Sequence, residues 1–247
     1  NDFSTKLMLS GHLAYGLKDL ELKYGVGFIY MLNKLPRRST GASWKNDIEQ
    51  LGQSENAFRE DFFLASFLRR NPFDKLLIVK EFDGFYEHEW VPGVSNTLSF
   101  IHRRLYPTGD FNFEFYSNNT LEQIPSINTS EIKLNTRFAW QEKFVMGEFE
   151  RVSLGSDYPV LEVDYTYGIN GLFNSDFSYH KLDLTVSDWF NIGTFGWSKY
   201  GISAGKIWGT LPYPLLKLHE GNETYAYDPY AFNTMNYFEF ISDRYVS

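Results

Sequence analysis

The sequence predicts an all-β protein, specifically part of an antiparallel transmembrane β-barrel. Three observations support this prediction. Segments of about ten residues alternate between apolar and polar side chains, which is the period of a β-strand. Aromatic residues make up 19% of the 247-residue chain, more than a soluble core usually needs but typical of a barrel whose rings gather at both membrane surfaces. Short and long connections alternate, as periplasmic turns and outer loops do in such barrels.

The cleanest alternation lies at 131–140 and 160–169. Successive side chains of a strand point to opposite faces, so one face of each segment is apolar and the other is charged. Segments 75–90 and 22–32 repeat the pattern. Weaker versions of the pattern lie at 6–16, 39–45, 95–106, 179–190, 198–208 and 234–247. In the two cleanest segments, we expect these side chains to face lipid: Ile132, Leu134, Phe138, Trp140, Leu161, Val163, Tyr165 and Tyr167.

Connection lengths divide the chain into spanning strands and loops. The predicted connections are short turns at 91–94 and 191–197 and long loops at 46–74, 107–130 and 209–233. If 144–153 crossed the membrane, the last of these loops would fall on the short-turn side. We therefore interpret 141–158 as a non-spanning excursion or short hairpin. Roughly ten spanning strands remain, and residues 1–247 form one barrel domain in this interpretation.

The loop at 46–74 is expected to hold a short helix. Ser54 or Asn56 can cap its first turn, and Pro72 would end it. Four phenylalanines lie near helical spacing between these points: Phe58, Phe62, Phe63 and Phe67. Two interpretations stay open, a lid or plug element and an outer loop packed on its own aromatic rings.

Composition excludes several classes of function. The formal charge of −8 and the pI of about 5.2 argue against a nucleic-acid partner. The chain has no cysteine, which removes disulfides and thiolate chemistry. Glu87 and Glu89 flank His88, but on a strand the histidine points away from both glutamates, so the three cannot chelate one ion. We expect neither a metal nor another cofactor.

The strongest enzymatic candidate is the pair Glu162 and Asp164. Their carboxylates share one face of a strand about 7 Å apart, a separation that a β-jelly-roll glycosidase could use. The third acidic residue of that motif is missing, because Tyr165, Thr166 and Tyr167 follow. Similar acidic alternation recurs on other strands, which favours a hydrated lumen wall. The candidate lumen-facing residues are Glu131, Lys133, Arg137, Glu162 and Asp164. We expect no catalytic residue.

Three arginine pairs have two possible roles. They are Arg37 with Arg38, Arg69 with Arg70, and Arg103 with Arg104. They could hold anionic lipid headgroups at the membrane edge, or they could be solvated charges at strand ends.

Several stretches resemble a family of outer-membrane barrels from Bacteroidetes-type bacteria, the DUF5686 kind, whose members carry a carboxypeptidase-regulatory-like domain before the barrel. The stretches are EQLGQSENAF at 49–58, LRRNP at 68–72, GEFERVSLG at 147–155, LPYPLL at 211–216, HEGNETY at 219–225, YAFN at 230–233 and MNY at 235–237. The resemblance implies a regulatory-like domain before residue 1 and closing strands after residue 247. That accessory domain is not a peptidase.

The barrel is also similar to those of the BamA/TamA superfamily, in which sixteen strands enclose a loop folded into the lumen. The resemblance implies that this segment supplies ten of about sixteen strands and that 209–233 is the inward loop. Aromatic side chains in 209–233 favour an inward or capping position as well, although a compact outer loop stays possible. We expect a tight turn at its tip, at Gly221 and Asn222. The candidate inward or capping residues are His219, Glu220, Gly221, Asn222 and Tyr225. The superfamily's V-R-G-F/Y motif has no counterpart in this loop, so its arginine contact is not carried over.

The expected function is a role in envelope biogenesis, protein assembly or translocation at the bacterial outer membrane. The expected partners are outer-membrane lipid and other envelope proteins in a complex, and nucleic acid is excluded. Two alternatives stay open. One is a passive channel or receptor-like barrel for small solutes, and the other is a soluble β-jelly-roll enzyme acting on glycans.

Overall fold

The chain forms strands and turns throughout the part that the structure describes. The computed structural model describes residues 6–16, 21–51, 76–108, 112–117, 120–147, 149–223, 225, 227–228 and 231–247. Within these ranges the only helical elements are three short 3-10 turns at Leu172–Asn174, Gly193–Phe195 and Tyr213–Leu215. None of the described helices is long and apolar enough to cross a membrane. The helix predicted within 46–74 lies outside the described residues. The first residues of that range belong to a strand that ends at Gln50.

Sixteen strands follow one another along the described chain. They are β1 (Leu7–Tyr15), β2 (Leu22–Asn33), β3 (Arg38–Gln50), β4 (Leu76–Val91), β5 (Val94–Pro107), β6 (Phe113–Ser117), β7 (Thr120–Ile124), β8 (Ile127–Phe138), β9 (Lys143–Met146), β10 (Arg151–Gly155), β11 (Val160–Gly168), β12 (Tyr179–Asn191), β13 (Trp197–Trp208), β14 (Lys217–Leu218), β15 (Ile241–Ser242) and β16 (Arg244–Val246).

Ten of these strands form one large antiparallel sheet in the order β1-β2-β3-β4-β5-β8-β11-β12-β13-β16. The predicted strand number and all-β class are therefore confirmed. Three hairpins, β6–β7, β9–β10 and β14–β15, form separate two-stranded sheets in the connections. The hairpin predicted within 141–158 is confirmed as β9–β10. The sheet is open in the described chain, with β1 and β16 at its edges, so closure into a barrel stays a prediction.

The two ends of the sheet differ in their connections. The turn end carries the connections at 34–37, 92–93 and 192–196, together with the β9–β10 hairpin. The loop end carries the longer connections at 51–75, 108–126 and 209–243. At the turn end, Gly93 has a φ of 86°, and a Cβ there would lie 2.1 Å from the carbonyl oxygen of Ala139. Only glycine fits this close turn, which joins β4 to β5 and meets the end of β8.

Strand alternation gives the large sheet two unlike faces. The polar face carries the acidic and basic residues of the central strands, such as Glu81 on β4 and Asp164 on β11. The apolar face carries exposed rings and aliphatic side chains, and no second large sheet covers it within the described ranges. The residues predicted to share the apolar face do share it by strand register, except Trp140, which lies in the turn after β8. Their contact with lipid stays a prediction.

The buried core lies on the polar face at the loop end. Its members come from six strands and from the 209–243 segment: Leu77, Val79, Leu105, Phe113, Ile127, Tyr179, Ile207, Leu211 and Leu215. The strand predicted at 234–247 is confirmed only in its last part, as the short strands β15 and β16. Residue Phe238 has a φ of 64°, a left-handed conformation that no continuous strand can contain.

Close approach of Tyr179 to β11 gives a testable consequence. A Cβ at Gly168 would lie 2.4 Å from Cε1 of Tyr179, whose hydroxyl donates to the Glu131 carboxylate and fixes the ring. Gly168→Ala should therefore lower the free energy of unfolding by about 1–3 kcal/mol through overpacking. Urea unfolding followed by tryptophan fluorescence measures this change. Gly201→Ala is the matched control, since no atom lies within 4 Å of a Cβ there. Equal effects of the two substitutions would contradict the packing described.

Candidate functional site

A ladder of ion pairs crosses the polar face between β8 and β11. Lys133 Nζ lies 3.0 Å from Asp164 Oδ1, and Asn135 Nδ2 donates to the same oxygen over 3.1 Å. Arg137 Nε donates to Glu162 Oε1 over 3.0 Å. The register of the two strands explains the pairs, because Glu162 lies directly opposite Arg137. Each predicted acidic residue of β11 is thus neutralised by β8.

Arg137 also joins the sheet to the connection that follows β8. Its two terminal nitrogens each donate over 2.7 Å to the carboxylate of Glu142, a bidentate contact that fixes the guanidinium plane. Hydrogen bonding from Arg137 lowers the pKa of the Glu142 carboxyl below its ordinary value, and a further bond from Ser153 acts in the same direction. Strand alternation gives no signal for Glu142, because Glu142 lies beyond the end of β8, whose alternation identified the other residues.

Glu131 lies apart from this ladder, near the loop end. It is buried, and it accepts a hydrogen bond from the hydroxyl of Tyr179. A second cluster of charges lies on neighbouring strands, where Glu81 contacts Arg103 and lies 3.2 Å from Lys45 Nζ. Five predicted residues therefore lie on the polar face, but the structure divides them between a ladder and a buried hydrogen bond. Their exposure to a lumen stays a prediction.

The β9–β10 hairpin is tied to the polar face at the turn end through Glu89. This carboxylate is fully buried, with 0% of its surface exposed. Arg151 of β10 donates to it over 2.7 Å, and the backbone amides of Arg37 and Gly93 donate over 2.8 and 3.2 Å. Arg37 also donates to the carbonyl of Phe149 over 3.0 Å. The hairpin is consequently bound to the sheet by charge and by backbone contacts.

The predicted separation of His88 from its neighbouring glutamates is confirmed. His88 Nδ1 lies 3.1 Å from the hydroxyl of Tyr86, and the centroid of its ring lies 4.2 Å from that of Trp90, with the two rings tilted, on the apolar face. Glu87 instead binds Arg37 over 2.9 Å on the polar face. Among the described residues, no group of three or more acidic, histidine or cysteine side chains is placed to hold a metal ion.

Two cavities lie beside the hairpin on the polar face. The larger, of ≈ 550 Å³, is bordered by Arg137, Glu142 and Glu162, by Trp189 of β12 and by Lys199 of β13. The smaller, of ≈ 340 Å³, lies between the hairpin and β4 and shares Arg137 and Glu142. The ion pairs around Arg137 therefore form the wall between the two cavities.

The 209–243 segment lies against the polar face at the opposite, loop end. Leu211 and Leu215 are buried in the core, and burial raises the pKa of Tyr213 to about 12. Further along, His219 Nε2 lies 3.1 Å from the hydroxyl of Ser242. Burial lowers the pKa of His219, and the positive charge of Lys217 acts in the same direction. The segment thus begins as part of the core and continues over the sheet.

The candidate residues of this segment differ in their environments. Asn222 is only 4% exposed, and its amide side chain donates to Asn233 over 2.7 Å. Gly221 lies against the backbone of Asn236, because a Cβ at Gly221 would lie 2.7 Å from the Asn236 carbonyl oxygen. The predicted tight turn at these two positions is wrong, because both are buried and neither has a positive φ. Tyr225 is 74% exposed and marks the outer part of the segment. The Glu220 carbonyl accepts from the amide of Phe232 over 2.9 Å.

Comparison with known protein families identifies the family of this chain, which the geometry does not show. The model of the family described as "Family of unknown function (DUF5686) C-terminal domain" matches residues 1–247. The chain belongs to this family. The predicted resemblance to the DUF5686 family is confirmed over residues 1–247, whereas the BamA/TamA similarity and the preceding regulatory-like domain stay predictions. A search of curated proteins finds no match to this DUF5686 domain.

The two charged residues that join the hairpin to the sheet, Glu89 and Arg151, had only a weak signal in the sequence. Glu89 was identified only as one of several alternating acids, although it has the most completely buried carboxylate of that strand. Arg151 lies in the GEFERVSLG stretch, which suggested family membership but no contact. An arginine beside apolar residues in a predicted short hairpin is the signal that could have pointed to a buried counter-charge.

Removing the counter-charge of Glu89 should detach the hairpin. Arg151→Ala leaves a buried carboxylate without its partner, which should lower the free energy of unfolding by about 3–5 kcal/mol. Urea unfolding measures the loss, and hydrogen exchange of residues 143–155 shows whether the hairpin opens. Lys143→Ala is the control within the same hairpin, because its 3.3 Å pair with Asp157 is exposed and should contribute less than about 1 kcal/mol. Similar losses in both variants would argue against a special role for Glu89.

Proposed function

We propose that this domain forms part of the wall of a bacterial outer-membrane β-barrel, with the apolar face toward lipid and the polar face toward the interior. One observation carries the proposal: the large sheet exposes its apolar face and covers its charged face. Leu134 is 40% exposed on the apolar face, while Glu89 on the polar face is fully buried. A soluble sheet buries its apolar face against a core, whereas a barrel wall in lipid has the reverse arrangement.

The distribution of rings on the apolar face supports this orientation. Trp90, Phe138 and Trp140 lie at the turn end, and Tyr106, Tyr167 and Trp208 lie at the loop end. Between these ends lie aliphatic side chains together with some rings, such as Tyr165 opposite Leu134. The aliphatic residues are Leu98, Leu134, Val163, Leu184 and Ile202. Aromatic side chains concentrate at both lipid–water interfaces of outer-membrane barrels, with an apolar band between them.

The interior of such a barrel would be occupied at both ends. The β9–β10 hairpin lies over the turn end of the polar face, and the 209–243 segment lies over the loop end. The ladder residues between them are already paired with one another. A molecule could cross an interior filled in this way only when one of the two covering segments moves. Such gated passage suits assembly or translocation of other envelope components in the outer membrane. The implied partners are outer-membrane lipid and other envelope proteins. The resemblance to BamA/TamA barrels points in the same direction.

A passive channel or receptor-like barrel is the second candidate. The cavity of ≈ 550 Å³ beside Arg137 is the observation that favours it, because its size and charged wall suit a small polar solute. A glycan-active site at Glu162 and Asp164 is less well supported. Each of these carboxylates is paired with a cation on β8, and neither is placed as a free acid or nucleophile.

The lipid orientation is testable at Leu134. Leu134→Arg should lower stability by about 2–4 kcal/mol if the residue lies near the bilayer midplane. The same substitution at an exposed position in water would change stability by only about 0.5 kcal/mol. Urea unfolding of the protein folded in lipid vesicles measures the difference. Tyr227→Arg is the control at an exposed position outside the sheet. A small effect at both positions would oppose the membrane orientation.

The occupied interior is testable at Leu215. Leu215→Asp places a charge in the core cluster and should release the 209–243 segment from the sheet. The full-length variant should then show ion conductance in planar bilayers that the wild type lacks. Tyr227→Asp adds the same charge to an exposed part of the same segment and should conduct no better than wild type. Conductance through the wild type as large as that through Leu215→Asp would instead favour the passive channel.

A further inference from the structure

A groove of ≈ 350 Å³ crosses the apolar face near the loop end. Four aromatic side chains line it: Trp44, Phe82, Phe100 and Phe173. Trp44 and Phe82 meet edge to face with 6.5 Å between ring centroids, and Phe100 lies 6.1 Å from Phe173. Phe82 and Phe100 lie 6.4 Å apart between ring centroids, so the four rings form a continuous apolar slot.

Two cations lie at one side of this slot. Lys80 and Arg104 are directly opposite each other in the β4–β5 register, and both side chains are exposed on the apolar face. Like charges directly opposite each other on a sheet repel. Neither residue has an ion pair within the described part of the chain; Lys80 Nζ lies only over the ring of Tyr106, 5.4 Å from its centroid. Among the described residues, the pair consequently presents two positive charges without a counter-charge.

The wall formed by Phe173 is held in an unfavourable backbone conformation. Phe173 has a φ of 49° and a ψ of 37°, which bulky residues rarely adopt. Its turn is fastened to β8, since Ser130 Oγ donates to the carbonyl of Leu172 over 2.8 Å and the Ser130 amide donates to Ser175 Oγ over 3.2 Å. Such strain persists where the surrounding contacts enforce it, and it concentrates at ligand sites. Here it places a 60%-exposed ring beside Phe100 and His102.

We propose that this groove binds a membrane phospholipid whose headgroup carries a net negative charge. The phosphate lies between Lys80 and Arg104, and one acyl chain lies along Trp44, Phe82, Phe100 and Phe173. A guanidinium can donate two parallel hydrogen bonds to phosphate oxygens, and the ammonium supplies a second charge. The anion removes the repulsion between the two cations, and the slot covers apolar carbon. A free anion would use the cations but leave the aromatic slot empty.

The position of the groove agrees with a headgroup at a membrane boundary. It lies at the loop end, where the long connections would face outward in the proposed barrel. Basic residues at the edge of a lipid-facing surface recognise anionic headgroups. The inference rests on the proposed function in this respect, because it requires the apolar face to contact lipid.

Native mass spectrometry of the full-length protein, extracted from outer membranes and delipidated in a non-ionic detergent, tests the proposal. Dioleoyl phosphatidic acid should bind the wild type about tenfold or more tightly than it binds Lys80→Ala/Arg104→Ala, since two charge-assisted contacts are lost. Dioleoyl phosphatidylcholine, whose headgroup is neutral overall, should bind the wild type weakly. Phe173→Ala should weaken phosphatidic acid binding while leaving both cations in place.

Arg38→Ala is the matched control, because Arg38 is exposed on the same face at the turn end. It should bind phosphatidic acid as the wild type does. The single variants Lys80→Ala and Arg104→Ala keep the test valid if the double variant fails to fold. Unchanged phosphatidic acid binding in the cation variants would overturn the lipid site, as would equal binding of phosphatidylcholine. Competition by inorganic phosphate at the concentration of the lipid would show an anion site without lipid specificity and would also overturn it. Absence of the wild type from the outer membrane would instead overturn the proposed function.

Discussion

The carboxylates of the polar face need nearby counter-charges, because two segments of the chain lie over that face and limit its contact with water. Glu89 shows the constraint most clearly. It is fully buried, and Arg151 and two backbone amides satisfy its oxygens. Removing one partner of such a site is costly, although the pair itself contributes little. The close turn at Gly93, the end of β4 and the β9–β10 hairpin all meet at this carboxylate, so the turn end of the sheet is organised around it.

The covered polar face and the exposed apolar face are two results of one arrangement. Ion pairs between β8 and β11 let charged residues lie side by side between the two covering segments, as Lys133 and Asp164 do. The apolar residues then occupy the opposite face, where the described chain does not cover them. In water such a face would promote aggregation, whereas in lipid it is the favourable surface. At the proposed site, Lys80 and Arg104 retain charge on this face near the loop end, where an anionic headgroup would neutralise them.

Features that depend on residues near one another in sequence could be predicted, whereas contacts between residues distant in sequence could not. Alternation located nearly every strand of the large sheet, because a two-residue period is a local property that burial enforces on each strand separately. It also placed Arg137 and Glu162 on one face. It missed Glu142, Arg151 and the burial of Asn222, because their environments are created by residues far away in sequence. The expected turn at Gly221 and Asn222 failed for this reason: glycine is needed there for close packing against Asn236, and not for a positive φ.

The sequence by itself determined the all-β class, the antiparallel strands, the two unlike faces, the short hairpin after β8 and the family. These features follow from local periodicity and from motifs that are read in order. Only the tertiary structure decided which charges pair, which of them are buried, and where the 209–243 segment lies. It also brought Phe173 from one connection beside Phe100 on a distant strand, and set Lys80 opposite Arg104. Such contacts depend on strand register and on the path of the connections, and the period of two fixes neither of them.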